Sequence, residues 1–414
     1  MPSKMRISIS VLVFVMLACT LSSQVPTAAR IQTSITDTPL PTATIGNLPT
    51  PSVTIGNIPT QTRLNLPVSP SPAITQLDFL DPLNGWAIAS NDGGSILRTV
   101  DGGATWLNAT PAGLTGIGYS TNLSVLDVNT AWVLIPNADF FTGMLYRTTD
   151  GGQSWTSYSA PFGGGSMQFL DAETGRVLAD RGAGAGSQSV EMFQSSDGGA
   201  SWLSVFNNDP TRPDASNTLP LSGIKNGMKF MDADIGWVTG TRPMDGDIYL
   251  FVTHDGGVSW EQQGIPLPAS YATYQYMPQK PVFFGGDGFL PLMIYLTNTP
   301  IFTFYATQDG GTTWTGNPLN GPQVIMPGFY SFADSLHGWS WNGENNLYFT
   351  LDGTKNWAGI ATSLDLSGRL AQLLFVPGPS DQFTGWALSS QDANGHSQLY
   401  KTTDNGGTWL LLNP

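Results

Sequence analysis

The chain has 414 residues and a formal net charge of −14, from 16 basic and 30 acidic side chains. This balance argues against nucleic acid as a partner, because affinity for phosphate backbones depends on Lys and Arg that release counterions. The 48 Gly and 30 Pro exclude a mostly helical fold, whereas the aromatic residues, including 13 Trp, can build a large core. The single cysteine excludes an internal disulfide and a thiolate-cage metal site.

The first 18 residues have the layout of an export signal. Lys4 and Arg6 precede an apolar run, residues 7–17, that is short for a membrane span. The tetrapeptide Met16-Leu17-Ala18-Cys19 resembles a bacterial lipobox, in which the cysteine carries the lipid. We therefore predict a lipoprotein-type signal peptide at 1–18, lipid attachment at Cys19, and an exported protein anchored on the cell surface or the periplasmic side of a membrane. A plain secretory signal, in which Cys19 has no role, is the alternative.

Residues 19–71 are rich in Pro, Thr and Ser and carry few charges. A heptapeptide at 44–50 recurs with one change at 54–60. Pro prevents a regular helix or ladder, and the apolar content is too low to offset the entropy of ordering. We predict a disordered, semi-extended linker behind the lipid anchor, and a disordered tail without a role is the alternative.

From residue 72 onward an eight-residue pattern recurs with a period of about fifty residues. Its first copy runs from Thr99 to Trp106 and reads Thr-Val-Asp-Gly-Gly-Ala-Thr-Trp. The Asp and Trp residues of the seven copies are Asp101 and Trp106, Asp150 and Trp155, Asp197 and Trp202, Asp255 and Trp260, Asp309 and Trp314, Asp352 and Trp357, and Asp404 and Trp409.

A second motif precedes these copies and consists of an apolar residue, an Asp two places later and a Gly-Trp pair four places after that. Its first copy is Phe79, Asp81 and Gly85-Trp86. The third unit has Arg176 in the place of the Trp, and the fifth keeps only Gly288-Phe289. The two motifs together account for 12 of the 13 Trp.

Short apolar runs separate these motifs, and Asp-Gly-Gly between apolar runs is a strong hairpin signal because glycine accepts positive φ. Each unit has room for four strands. Seven such units predict an all-β, seven-bladed β-propeller with four-stranded blades over residues 72–414. We expect residues 64–68 to add an outer strand.

The pattern Ser/Thr-x-Asp-x-Gly-x-x-Trp resembles the Asp-box, or BNR repeat, of sialidases, sortilin-type receptors and xyloglucanases. The wording of the motifs and the single seven-unit ring most resemble the photosystem II stability and assembly factor family. The sixth copy departs from the pattern, with Thr354 in the place of the second Gly. The resemblance implies a propeller and a non-enzymatic role in assembling a membrane complex through a basic surface, and this acidic chain departs from that last feature.

The Asp-boxes themselves are interpreted as structural. They recur once per blade, whereas an active site is asymmetric. An Asp carboxylate can accept hydrogen bonds from its own tight turn, Gly can adopt the required φ, and Trp can pack between sheets. The same interpretation applies to the Gly-Trp pairs.

Catalytic and metal-binding patterns receive little support. Arg98 and Arg147 stand at repeated positions before boxes, and the Arg-Ile-Pro signature of sialidases is absent. The xyloglucanase arrangement needs two propellers around paired carboxylates, and this chain holds one ring. His254, His337 and His396 lie far apart in sequence. We therefore predict no catalytic residues, no bound metal and no cofactor.

Binding residues are expected on loops that break the repeat. The longest units contain insertions at Asn207 to Gly223 and at Gly264 to Pro281. The second insertion carries Tyr271, Tyr274 and Tyr276, and Trp341 is the one Trp outside both motifs. These four aromatic residues are the candidate binding site, and packing of each within its own blade is the alternative.

The leading hypothesis is a non-enzymatic, surface-anchored binding or scaffold propeller with a protein partner, for which a membrane complex is one candidate. The second hypothesis is a secreted carbohydrate-active propeller, either a glycoside hydrolase or a sugar-binding module. Two carboxylates about 5–9.5 Å apart at the channel mouth are expected for the hydrolase.

Overall fold

The computed structural model describes residues 64–414 except 115–116, 119, 209–216, 243, 245, 270–272, 296–299, 317–327, 343–345, 367–368, 380–381, 413–414 and the side chain of Asp92. The predicted signal peptide, Cys19 and most of the predicted linker lie outside these residues. The described part forms seven antiparallel sheets, each built from consecutive strands. This confirms the predicted all-β, seven-bladed propeller. In the same residues, no helix is long and apolar enough to cross a membrane.

Blades one to four follow the chain without exchange of strands between sheets. Their strands are β1 (Ile74–Phe79), β2 (Gly85–Ala89), β3 (Ser95–Thr99) and β4 (Leu107–Asn108); β5 (Asn122–Val125), β6 (Ala131–Pro136), β7 (Gly143–Thr148) and β8 (Thr156–Ala160); β9 (Gly165–Phe169), β10 (Gly175–Gly184), β11 (Ser187–Ser195) and β12 (Leu203–Asn207); β13 (Ile224–Phe230), β14 (Gly236–Thr241), β15 (Leu250–Thr253) and β16 (Glu261–Gln262).

Blades five to seven continue the same order, except that the first strand of blade five is interrupted, so that β17 and β18 both pair with β19. Their strands are β17 (Gln275–Pro278), β18 (Val282–Phe284), β19 (Asp287–Tyr295), β20 (Pro300–Thr307) and β21 (Thr315–Gly316); β22 (Phe329–Phe332), β23 (Gly338–Trp341), β24 (Leu347–Thr350) and β25 (Ala358–Ile360); β26 (Leu370–Pro377), β27 (Phe383–Ser389), β28 (Leu399–Thr402) and β29 (Leu410–Leu411).

The first strand of each blade lies innermost. Strands β5 and β9, β9 and β13, β22 and β26, and β26 and β1 contact one another across neighbouring blades. The first strands therefore surround the central channel.

The antiparallel order divides the ring into two faces. The turns between first and second strands, such as residues 80–84, and those between third and fourth strands, such as 100–106, lie at one end of every blade. We call this end the motif face, because it holds both repeated motifs. The opposite end, the loop face, holds the connections between second and third strands and between blades, such as 137–142 and 390–398. Departures from the repeat are therefore concentrated on the loop face.

Each Asp-box closes its turn with its own side chains, as the first copy shows. The Thr99 hydroxyl donates to Asp101 Oδ1 at 2.8 Å and accepts the backbone N–H of Gly103 at 2.9 Å. Asp101 Oδ1 also accepts the N–H of Thr105 at 2.9 Å. Corresponding bonds occur in the other six copies. Thr354 in the sixth copy keeps the turn with φ of 73°, a conformation that strains a β-branched residue.

The second motif closes the seams between blades, as the junction of blades seven and one shows. Trp386 stacks on Phe79 with ring centroids 3.6 Å apart, and its indole N–H donates to the Gly102 carbonyl at 3.0 Å. Phe79 lies so close to Gly85 that a Cβ there would be 2.5 Å from the ring. The motif therefore needs glycine beside its Phe, and its Trp fastens the Asp-box of the next blade.

Other seams repeat this contact or replace it with an equivalent one. Trp132 donates to the Gly198 carbonyl at 2.8 Å and Trp339 to that of Asn405 at 2.9 Å. Arg176, which replaces a Trp, places its guanidinium 5.5 Å from the Phe230 ring centroid. The substitution at this copy of the motif therefore preserves the seam.

The ring closes between blades seven and one by this side-chain packing, because each blade is built from its own strands. In addition, Val68 bridges to Leu107, and Asn108 donates its N–H to the Pro67 carbonyl at 2.7 Å. The expected outer strand near residues 64–68 is thus present as a short edge pairing on blade one.

Candidate functional site

The structure places two of the four predicted binding residues in the core. Trp341 is fully buried on β23 and packs in the apolar cluster formed by blades six and seven. Tyr276, on β17, is 1% exposed, within the cluster of blades four and five. Neither side chain presents a surface to a ligand in this conformation, which agrees with the packing alternative.

The remaining two predicted residues have different outcomes. Tyr271 lies outside the described residues. Tyr274 is half-buried against the same cluster as Tyr276, and its carbonyl accepts the Gly246 N–H at 2.8 Å. Tyr274 thus stays a candidate at the edge of the loop face.

The arginines that precede boxes pack against the Gly-Trp or Ala-Trp pair of their own blade. Arg98 is buried, donates to the Gly85 carbonyl at 2.9 Å and lies 5.4 Å from the Trp86 ring centroid. Burial lowers the pKa of Arg98 to about 10, although Asp81 opposes this effect. Arg147 lies 5.5 Å from the ring centroid of Trp132 in the same way.

The three histidines each face a single carboxylate. His337 contacts Asp334 at 2.8 Å, His254 lies 3.6 Å from Glu261, and His396 lies 3.9 Å from Asp392. Within the described residues, no group of three metal-ligating side chains comes together. Asp247 forms an ion pair with Arg242 at 2.6 Å.

Two adjacent aromatic rings project from the loop face. Phe140 and Phe141, in the turn between β6 and β7, are 62% and 52% exposed. Adjacent exposed aromatic rings form a contiguous apolar surface, which is a candidate interaction site.

The turn that carries these rings is tightly held. Asp139 Oδ1 accepts the N–H groups of Phe141 at 2.9 Å and Thr142 at 3.0 Å, and these bonds lower the pKa of Asp139. Arg181 of blade three donates to the Phe141 carbonyl at 2.9 Å and pairs with Glu191 at 2.8 Å. The turn is therefore fixed from both its own blade and the next.

Phe140 has φ of 59°, in the left-handed region. Such a conformation costs a bulky residue about 1–3 kcal/mol and is typical of functional sites. This conformation determines the direction in which both rings point, although it raises the local backbone energy.

A polar cavity of about 450 Å³ opens on the loop face between blades seven and one. Its wall includes Ser71, Arg369, Asp392 and His396. Asp392 accepts the N–H groups of Asn394 at 2.8 Å and His396 at 2.9 Å, and these bonds lower its pKa. The cavity thus offers a guanidinium and a carboxylate to a small polar ligand.

A second cavity, of about 420 Å³, lies on the motif face between blades four and five. Here Trp237 donates its indole N–H to Gln263 Oε1 at 2.9 Å, and Gln263 donates to the Gly311 carbonyl at 2.7 Å. A side-chain amide therefore stands in this seam, whereas Trp132, Trp339 and Trp386 bond directly to Asp-box carbonyls in theirs. Trp237 remains 1% exposed and stays a packing residue.

No protein-family model matches the chain. A xyloglucanase from Paenibacillus sp is 27% identical over an alignment 273 residues long, and the match covers 56% of this chain. The chain matches only 24% of the length of that relative.

Two solved structures are similar in fold. YCF48 from Cyanidioschyzon merolae has a TM-score of 0.52 at 17% identity, covering 82% of this chain and 98% of that one. The GH74 xyloglucanase from Xanthomonas campestris has a TM-score of 0.53 at 16% identity, covering 84% of this chain and 55% of that one. These likenesses establish the propeller fold, which YCF48 and a xyloglucanase share.

Sequence reasoning missed Phe140–Phe141, although a signal was present. Asn137, Asp139 and Gly143 are turn-forming residues that flank the pair between two apolar runs. Aromatic residues inside such a turn predict exposure.

Proposed function

We propose that the protein is a non-enzymatic binding propeller that recognises a protein partner through its loop face. The Phe140–Phe141 pair carries this proposal, because the two rings are exposed and fixed in direction before any partner arrives. Rigid aromatic anchors lose little conformational entropy on binding and dominate protein interfaces. Tyr274 lies on the same face and is a further candidate contact.

The repeated motifs support the same division of roles. Their Asp and Trp side chains and their Gly backbone groups are engaged in turns and seams on the motif face. The loops of the loop face take no part in these motif contacts, so their sequences can vary without breaking the seams between blades.

The test is capture of partners from native membranes by the folded ring. We expect Phe140→Ser/Phe141→Ser to lose the partner that the parent retains. Leu336→Ser/Leu351→Ser is the matched control, since Leu336 and Leu351 are also exposed but lie on the motif face. Equal capture by the parent and both double variants would refute the loop-face site.

Membrane anchoring through Cys19 is a separate part of the proposal. Several acyl chains, at about 0.8 kcal/mol per buried methylene, would hold the protein on a membrane. We expect Cys19→Ser to abolish incorporation of labelled palmitate and to release the protein from the membrane fraction. Incorporation of the label into Cys19→Ser would contradict the assignment.

A carbohydrate-active function is the second candidate, favoured by the 27% identity to the xyloglucanase. The loop-face cavity between blades seven and one would hold the sugar, with Arg369 and Asp392 as polar contacts. In the described first strands, Asp78 is the one carboxylate, so a hydrolase pair would need loop residues.

Titration with xyloglucan oligosaccharides, with release of reducing sugar as a parallel assay, tests this candidate. Binding that Arg369→Ala and Asp392→Asn abolish would support a sugar site. Turnover would identify an enzyme. No heat of binding and no turnover would remove the carbohydrate alternative.

A further inference from the structure

Three charged residues lie on or beside the first strands that surround the central channel. Asp78 is on β1 and Lys229 is on β13, each one residue before the Phe that ends its strand. Lys280, between β17 and β18, lies over β13, since a Cβ on Gly227 would be 3.1 Å from the Lys280 Cβ. Blades one and five are not neighbours in the ring, so the electrostatic interaction of Asp78 with Lys280 passes across the channel.

Other polar residues at the same level of the channel are engaged in the seams. Gln168 Oε1 accepts the Phe230 N–H at 2.8 Å, and Ser331 Oγ accepts the Phe375 N–H at 2.8 Å. Ser124 Oγ accepts the N–H of Phe169 at 3.3 Å. These three side chains tie β5 to β9, β9 to β13 and β22 to β26.

The three charged groups do not take this role. In the described part of the chain, no hydrogen bond or ion pair within 4 Å involves the side chain of Asp78, Lys229 or Lys280. Burial raises the pKa of Asp78 to about 6, and Lys280 offsets this only in part. Burial, with repulsion from Lys280, lowers the pKa of Lys229.

Asp78 and Lys229 are half-buried and Lys280 is exposed. Partly buried charges without partners oppose folding, and proteins retain such groups at functional sites. The two ammonium groups and one carboxylate sum to a single positive charge, inside a chain whose net charge is −14. One monovalent anion would neutralise the cluster. A doubly charged phosphate would leave an excess of negative charge facing Asp78.

We propose that Lys229 and Lys280 bind one carboxylate group in the central channel, supplied by a small organic acid or by an acidic side chain of a peptide. Each ammonium donates a charge-assisted hydrogen bond to the carboxylate. Asp78 sets the charge of the site and excludes more highly charged anions. This site is independent of the Phe140–Phe141 surface.

Isothermal titration calorimetry on the folded ring tests the proposal with two probes. Butyrate represents a small acid, and a blocked Gly-Gly-Glu-Gly-Gly peptide represents an acidic side chain. Butyramide and the corresponding Gln peptide are the uncharged controls. Binding of butyrate alone would identify a small acid as the ligand, and binding of the peptide alone would identify a peptide side chain.

Variants with opposite expected effects on affinity distinguish a specific site from non-specific electrostatic attraction. Lys229→Met and Lys280→Met should each weaken binding about tenfold or more, the effect of one charge-assisted bond. Asp78→Asn should tighten binding several-fold, because it removes a repulsive charge. Lys355→Met, which removes an exposed charge on the motif face, should leave the affinity unchanged.

Near-ultraviolet circular dichroism checks that each variant is folded, and Asp78→Asn keeps the proposal testable if a lysine variant unfolds. Failure of both acids to bind the parent would overturn the proposal. The proposal would also be overturned if all four variants bound the acids with the same affinity, or if Asp78→Asn bound them more weakly than the parent. Phe140→Ser/Phe141→Ser should bind the acids as the parent does, so loss of the loop-face partner and loss of this site are separable.

Discussion

The seam between blades seven and one provides the sharpest test of how the repeated motifs stabilise the ring. Trp386 is fully buried and donates its indole N–H to the buried carbonyl of Gly102 at 3.0 Å. The variant Trp386→Phe keeps an aromatic ring against Phe79 but removes this donor. An orphaned buried acceptor costs about 1–3 kcal/mol, in addition to the cost of the smaller ring.

The chain offers a matched control in blade one. Trp86 occupies the corresponding place and is also fully buried, but its indole N–H has no acceptor among the described residues. Trp86→Phe therefore removes a similar volume without breaking a hydrogen bond. We expect Trp386→Phe to lower the free energy of unfolding by about 1–3 kcal/mol more than Trp86→Phe does.

Urea unfolding followed by far-ultraviolet circular dichroism measures this difference, because two linear extrapolations with equal slopes can be compared directly. Equal destabilisation by the two variants would refute the hydrogen bond as the closing element of the seam. A larger loss for Trp86→Phe would show that packing alone decides seam stability.

Three further predictions concern single residues. Asp78→Asn should increase stability above about pH 6, because the folded chain raises the pKa of Asp78 from 3.8 to about 6 and so loses stability as pH rises through that window. Thermal denaturation at pH 7.5 should show a gain in the free energy of unfolding of at most about 3 kcal/mol, which solvent screening reduces further. This gain should vanish below about pH 4. Thr354→Gly should stabilise the ring by about 1 kcal/mol in urea unfolding, because it relieves a φ of 73° at a β-branched residue, and a loss of stability would contradict this. Lys225→Met should destabilise by about 2–4 kcal/mol in the same assay, since the Lys225 ammonium shares its three N–H donors among four backbone carbonyls within 3.3 Å, those of Gln188, Pro220, Leu221 and Gly223. An unchanged midpoint would show that these bonds contribute nothing.

The architecture could be predicted from the sequence because both motifs act locally. An Asp-box closes a turn with side chains at most four residues from its Asp, and the Phe and Gly of the second motif are cross-strand partners in one sheet. Thr354 shows that even a departure from the pattern keeps the turn. Such contacts need no knowledge of the rest of the ring.

The burial of Trp341 could have been predicted from its position on β23. Trp339 and Trp341 are two residues apart on β23, so both side chains point to the same side of the sheet. Because Trp339 belongs to the seam motif, Trp341 had to face the same seam. Its position outside the motifs made it look like a surface residue.

The channel cluster could not be predicted in this way. Asp78, Lys229 and Lys280 come from blades one, four and five, and only closure of the ring brings them together. The division into two faces likewise needs the strand order of every blade. Long-range convergence of this kind leaves no periodic signal in the sequence.

The central claim is that the motif face maintains the ring and the loop face recognises a partner. The most direct measurement is site-specific photo-cross-linking on native membranes, with a benzophenone amino acid placed at Phe141 or, as the control, at Leu351 on the motif face. We predict one discrete adduct from position 141 and none from position 351. Adducts from position 351 alone, or equal adducts from both positions, would contradict the claim.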